Sequence, residues 1–262
     1  MPDLTLITGA SRGIGRVFAE HFARERHDLI LVARGAPELE ALAERLSGQH
    51  GVQVHVVPMD LSAPGAPEAL FGEVSARGLS VTGLVNNAGF GLHGPHAEAD
   101  PAALARMLNV NVTALTLLTR LFLPAMLARG RGTILNLAST AAFQPVAYFS
   151  AYAAAKAYVL SFTEGLAEEV RPRGVSVLAL CPGPTRTGFF KAAGIRTGAL
   201  KYADAVFMTP EAVVEDAMRG LARREVIRIP GTLNALMART IPFLPRRLVS
   251  LVSGRLMQQS QR

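Results

Sequence analysis

A doubly wound parallel α/β sheet of about seven strands, with helices on both faces of a single domain, is the fold that this 262-residue chain predicts. Three observations point to it. Short apolar runs alternate with longer amphipathic stretches along nearly the whole chain, a glycine cluster directly follows the first apolar run, and 50% of the residues are apolar, which suffices for one large core. Alternating strands and helices require parallel strands covered on both sides, and they place ligands at the carboxyl ends of the strands.

The first strand is read at residues 3–8, where Leu4 to Ile7 form an apolar run of the kind expected of a strand buried on both faces. Thr8-Gly-Ala-Ser-Arg-Gly-Ile-Gly15 follows, and it opens the amphipathic stretch Arg16 to Arg26. Later strands are read at 28–33, 52–58, 82–86, 132–138, 174–180 and 225–229, with helical patterns filling the gaps. Val226-Ile-Arg-Ile-Pro-Gly231 closes the last strand, so the chain divides into a domain over 1–231 and a helical extension over 232–262 packed on it. Within the extension, Leu233 to Ile241 and Leu244 to Met257 read as two amphipathic helices interrupted by Pro242 and Pro245. Met237, Leu248, Leu251, Val252 and Leu256 supply the apolar face, and Arg239, Arg246, Arg247 and Arg255 the charge. There is no internal repeat and no flexible linker.

Composition excludes several classes. The net charge is +7, but arginines such as Arg129, Arg131, Arg171 and Arg173 are scattered over helix ends, and the chain has no tryptophan; no aromatic stacking platform accompanies the charge, so no nucleic-acid partner is expected. Cys181 is the one cysteine, which rules out an intramolecular disulfide framework, and it reads as a small buried residue. No basic-then-apolar leader follows Met1 and no uninterrupted apolar run reaches 18 residues, so neither a signal peptide nor a conventional spanning helix is expected, and the expected location is the cytoplasm. His93 and His96 form an H-x-x-H pair in a Gly/Pro loop without a third ligand, so no metal is expected.

The glycine cluster and a tyrosine–lysine pair carry the chemistry. Gly9, Ser11, Arg12, Gly13, Ile14 and Gly15 form a strand–turn–helix unit, in which glycines admit a diphosphate close to the backbone and a helix N-terminus attracts its charge. The spacing is G-x-x-x-G-x-G, which differs from the general dinucleotide fingerprint. In Tyr152-Ala-Ala-Ala-Lys156 the phenol and the ammonium stand at i and i+4, one turn apart on one helix face. Of the four tyrosines only Tyr152 is followed by lysine at that spacing. A free phenol titrates near pH ~10, and a neighbouring cation favours its ionised form, as an acid/base group for a carbonyl requires. Ser139 ends the apolar stretch that begins at Thr133, and its hydroxyl is placed at the sheet rim to hold a substrate oxygen.

With Asp60-Leu61, Asn86-Asn-Ala-Gly89, Asn111 and Pro182-Gly183 added in order, the chain resembles the short-chain dehydrogenase/reductase family, in the branch with TGxxxGxG and YxxxK, over residues 3 to about 230. The resemblance implies a Rossmann fold and an NAD(P)-dependent oxidoreductase that interconverts carbonyls and secondary alcohols. It implies a catalytic set of Asn111, Ser139, Tyr152 and Lys156, with Asn111 holding a water that relays protons towards the lysine. It further implies that Asp60 and Leu61 contact the adenine and that Asn87, Ala88 and Gly89 brace the sheet edge beside the cofactor. Tyr152 and Lys156 would lie at the nicotinamide end, with Lys156 on the ribose. Pro182, Gly183, Thr185 and Thr187 would form the turn against the nicotinamide, with Thr187 bonding its carboxamide; Thr185 stands where many members have an aliphatic residue.

The second strand, Leu29-Ile-Leu-Val-Ala-Arg34, ends without the acid that an NAD site uses, and the nearest following acid is Glu38. Arg34, with Arg12 from the other side, suits a 2′-phosphate, so NADP(H) is expected over NAD(H). The segment 188–209 lies where the resemblance implies a substrate-covering loop, and its Phe189, Phe190, Ile195, Leu200, Tyr202 and Phe207 suggest an apolar substrate; the extension resembles that of members acting on long-chain acyl, steroid or related lipid carbonyls. Two alternatives stay open: a non-catalytic NADPH-binding sensor or scaffold, and an alcohol dehydrogenase working in the oxidative direction. A homodimer or homotetramer is expected. The extension is expected to join subunits or close the cleft, ahead of resting on an acidic bilayer surface.

Overall fold

The computed structural model describes residues 3–195 and 206–259. Seven strands, β1 (Leu4–Thr8), β2 (Asp28–Ala33), β3 (Val54–Pro58), β4 (Gly83–Asn86), β5 (Gly132–Leu137), β6 (Val175–Leu180) and β7 (Ile227–Arg228), form one sheet in the order β3-β2-β1-β4-β5-β6-β7. Every pairing is parallel. The order in which successive strands are laid down switches from one side of β1 to the other between β3 and β4, which opens a crevice at the carboxyl ends of β1 and β4.

Alternation along each strand sorts side chains to the two faces. Leu6, Ile30, Leu84 and Ile134 point to one core, where they meet Leu70 and Val74 of α3 (Ala66–Ala76), Leu118 and Phe122 of α5 (Leu115–Ala128), and Leu166 and Val170 of α6 (Ser150–Val170). Their neighbours Ile7, Leu29, Leu31, Val85 and Leu135 point to the other, against Phe18 of α1 (Gly13–Arg24), Leu39 and Leu46 of α2 (Ala36–His50) and Val213 of α8 (Pro210–Ala222). The predominantly apolar strands therefore follow from two-sided burial. Strand positions agree with those expected to within about two residues. The first helix begins at Gly13, three residues before Arg16, because the glycine turn itself becomes its first turn.

One feature of the long helix was not expected. Residues of α4 (Pro101–Leu108) continue through a π-helical segment, Asn109–Ala114, into α5. Asp100 caps the start, its carboxylate accepting from Ala102 N and Ala103 N, both at 3.1 Å. The continuous helix Pro101–Ala128 is the one among the described residues long and apolar enough to cross a membrane. Met107, Ala114, Leu118, Phe122 and Met126 are buried along it, so its apolar character is that of a core helix.

The extension forms α9 (Thr232–Thr240) and α10 (Arg246–Gln259), preceded by the short α7 (Phe189–Ala192) earlier in the chain. Both helices return to the carboxyl ends of the strands. Asn234 of α9 is 5% exposed and lies against Gly183, where a Cβ would meet its side chain at 2.6 Å. Ser253 of α10 donates to Pro145 O at 3.1 Å.

Candidate active site

The glycine turn is built to keep side chains out. Gly9 and Gly13 hold φ of 67° and 57°, the left-handed region that glycine adopts without strain. A Cβ on Gly15 would stand 2.2 Å from Gly9 O. Arg12 is the N-cap of α1 and no side chain caps that helix, so its leading N–H groups are left for a ligand. Ser11 and Ile14 are half-buried in this turn. Across from it, the methyl of Thr187 comes within 3.3 Å of a Gly13 Cβ, so the Pro182–Thr187 turn forms the facing wall.

Thr8 ties this turn to the next. Its hydroxyl accepts from Asn87 N at 2.9 Å and Ala88 N at 3.0 Å and donates to Val85 O at 3.2 Å. The Asn87 amide donates to Thr8 O at 2.8 Å and Gly9 O at 3.2 Å. Beneath it, Asn86 donates to Thr119 and to Asn136, and Asn136 donates to Thr163, in a buried polar chain from β4 through β5 to α6. Thr119, Asn136 and Thr163 stand outside the sequence motifs. Nothing local marks them.

Ser139, Tyr152, Lys156 and Asn111 converge at the carboxyl end of β5. Ser139 follows the strand and caps a short 3-10 turn, accepting from Ala141 N at 3.1 Å, with a longer contact of 3.5 Å to Pro182 O. Tyr152 and Lys156 share one face of α6, and the Lys156 ammonium lies 5.7 Å from the centre of the phenol ring. That ammonium donates to Leu137 O at 2.7 Å. Gly89 sits where the set closes: a Cβ there would meet Asn111 Oδ1 at 2.3 Å and Lys156 Nζ at 3.6 Å. Asn111 lies in the π segment, with its Nδ2 donating to Phe90 O at 2.8 Å and its Oδ1 accepting from Phe90 N at 3.2 Å. A π turn displaces one carbonyl from the usual ladder and is frequent at functional sites.

Burial dominates the electrostatics. Tyr152 is 7% exposed, and loss of solvent raises its pKa well above the ordinary phenol value, with the Ser139 hydroxyl opposing. The sequence suggested the reverse direction, from the nearby cation; without further positive charge, desolvation wins. The same burial lowers Lys156 to about 8, opposed by Cys181, and raises the Cys181 thiol to about 12. A fully buried thiol held that high is no nucleophile.

Around the phenol the walls are apolar. Phe149 stacks on Tyr152 with ring centres 4.4 Å apart, Phe189 approaches the phenol ring at 5.4 Å, and Phe190 meets Phe189 edge-on at 5.7 Å. Phe207 in turn meets Phe190 at 5.6 Å. Ile195 is buried in the same cluster, and Met257 of α10 packs against it. Leu200 and Tyr202 lie outside the described residues. Tyr148 turns the chain into α6 with a left-handed φ of 62°, a conformation rare away from glycine. His93 is engaged rather than ligating: its ring bonds Met257 O at 3.2 Å and meets Phe149 edge-on. Among the described residues no group of three or more His, Cys, Asp and Glu is arranged to hold a metal.

At the far end of the crevice, Asp60 Oδ1 accepts from Ser62 N at 3.0 Å and Ser62 Oγ at 2.8 Å, while Leu61 is buried in the core. Arg12 and Arg34 are both exposed. Glu38 folds back over Gly35, where a Cβ would meet its carboxylate at 2.2 Å, and so lies at the start of α2, where the helix dipole favours it. In the facing turn, Thr185 is 6% exposed and donates to Gly183 O at 3.0 Å, and Thr187 accepts from Phe189 N at 3.2 Å.

The sequence pattern described as short chain dehydrogenase matches residues 3–196. The chain belongs to the short-chain dehydrogenase family. Among relatives of this family, the very-long-chain 3-oxoacyl-CoA reductase of Anas platyrhynchos is 32% identical over 183 residues, which cover 68% of this chain and 58% of that one. The chain thus spans under two thirds of that relative's length. A short-chain dehydrogenase from Sphingobium yanoikuyae, solved in complex with NADPH, is 36% identical with a TM-score of 0.81 over 91% of this chain and 93% of that one. A bulky-bulky ketone specific alcohol dehydrogenase from Comamonas testosteroni is 31% identical with a TM-score of 0.77 over 92% of both. The residues present fit the family's nicotinamide dinucleotide: a turn with no room for side chains, an uncapped helix start, and a second turn facing it.

Proposed function

We propose that this protein is an oxidoreductase that reduces apolar ketones with NADP(H), Tyr152 being the proton donor. One observation carries the reading: the buried Tyr152 phenol, flanked by Ser139 and Lys156, lies in an apolar cluster with Phe149, Phe189, Phe190 and Met257. The names of relatives that act on long-chain oxoacyl and bulky ketone substrates support an apolar carbonyl. Gly9, Gly13 and Gly15 would hold the diphosphate, Asp60 and Leu61 the adenine, and Lys156 and Thr187 the nicotinamide end; bound there, the reduced cofactor supplies the hydride.

The protein's own groups do the rest. Ser139 holds the carbonyl oxygen and Tyr152 gives it a proton. A phenol kept protonated by burial suits that donor role. Lys156, lowered to about 8, returns a proton to the phenol at neutral pH. Both polar groups of the Asn111 side chain are engaged by Phe90, which fixes the residue beside Gly89 and Lys156, where it would hold the proton-relaying water that the family resemblance implies. Arg34 and Arg12, exposed on either side of the adenosine end, receive the 2′-phosphate, and Glu38 is kept away from it at the start of α2.

The test is oxidation of NADPH and NADH against ketones graded by size. The expected outcome is turnover that rises with apolar bulk, prefers NADPH, and falls by roughly 10² to 10⁴ fold in Tyr152→Phe with cofactor affinity kept. Retained activity in that variant rejects Tyr152 as donor, and a preference for NADH rejects the Arg12–Arg34 clamp.

A further inference from the structure

The two helices of the extension face the wrong way for a free surface. In α10 the inward residues include Val249, Ser253 and Gly254, while Leu248, Leu251, Val252 and Leu256 stand 52%, 56%, 50% and 37% exposed. These outward positions follow i, i+3, i+4 and i+8, one continuous stripe. In α9 the inward residues include Asn234 and Ala238, and Leu236 is 62% exposed beside Leu233 and Met237. Between the helices Phe243 is 89% exposed. A soluble helix normally buries its apolar stripe, and a contiguous exposed one marks a contact surface.

Charge selects what covers it. Arg239, Arg246, Arg247 and Arg255 are exposed on the same two helices, and from Val226 onward the sequence has no aspartate or glutamate. A second copy meeting this face across a two-fold axis would set like charges against each other with no acid to answer them. We infer that the outer face of α9 and α10 docks on an anionic lipid surface, with Phe243 and the leucines entering the acyl boundary and the arginines meeting the headgroups. The inner face of α10 places Met257 in the cluster around Tyr152. The helix proposed to dock is therefore the one that also covers the apolar cluster around the phenol. Binding to lipid is independent of whether the ketone reading is right.

The experiment is flotation of the 262-residue protein with vesicles of phosphatidylcholine alone and of phosphatidylcholine with phosphatidylglycerol, at low and high salt, with light scattering in parallel. The expected result is at least roughly tenfold tighter partitioning to the anionic vesicles, lost at high salt. Replacing both Arg246→Gln and Arg247→Gln weakens it about 30-fold, at about one kcal/mol per charge. Phe243→Glu, at a fully solvated site, removes binding while NADPH affinity stays unchanged. Equal partitioning to both vesicles, or wild-type binding by these variants, overturns the proposal. So does conversion of an oligomer to a monomer by Phe243→Glu with vesicle binding intact, which would make the face a subunit contact.

Discussion

Lys156 is charged in a place that favours neutrality. Burial lowers its pKa from 10.5 to about 8, so between those values the unfolded chain holds a proton that the folded protein has released. Stability then rises with pH across that window, and the cost of burying the ammonium is fully present below pH 8. Comparing wild type with Lys156→Met cancels the titrations of groups that do not interact with Lys156. Urea unfolding of the pair should show the difference in stability moving in favour of wild type, by on the order of 3 kcal/mol, between pH 7 and 10.5. A difference that stays constant with pH would mean that the ammonium is solvated in the folded protein. The pairing of Tyr152 with Lys156 was legible because i,i+4 spacing needs only a helix. The direction of the phenol's shift was not, since it depends on how deeply α6 is buried, and the Asn86–Asn136–Thr163 chain was hidden because its members come from distant segments.

Among elements, β7 is the weakest, with two residues on the sheet edge. A carboxylate holds it. Asp216 of α8 is 6% exposed and accepts from Arg228 of β7 at 2.6 and 2.9 Å and from Arg219 at 2.8 and 3.2 Å. Burial acts to raise the Asp216 pKa, but the bonds from Arg228 and then Arg219 prevail and lower it below 3.8. A depressed carboxylate contributes stability that is complete above its unfolded value and is lost as pH falls through the folded one. Asp216→Asn should therefore cost about 1.5–3 kcal/mol at pH 7, and the gap to wild type should close below pH 3.8 in thermal unfolding. An undiminished gap in acid would mean that packing, not charge, joins α8 to β7. The strand and helix order was readable from apolar periodicity, which two-sided burial imposes. The π segment was not, because inserting one residue into a turn leaves the apolar pattern of a long helix nearly unchanged.

For the molecule as a whole, the site is assembled from both ends of the chain. The glycine turn comes from the first residues, the acid/base pair from α6, and part of the apolar wall from α10, whose Met257 packs with Phe149, Tyr152 and Phe189. Hydrogen bonds from Ser253 to Pro145 O and between the His93 ring and Met257 O help to seat that helix. Since α10 packs on the aromatic cluster beside the cleft and contributes no residue to the two sheet cores, removing it should leave those cores intact. A chain ending at Pro245 should unfold within a few degrees of the full protein, as expected when no more than about 1 kcal/mol is lost. Its cleft would be open to water, so discrimination between a long and a short ketone should fall roughly tenfold in relative kcat/KM, the effect of losing about one methylene of apolar contact. Discrimination that survives the truncation would place substrate selection in the Phe189–Phe190 wall alone and leave α10 as a docking element only.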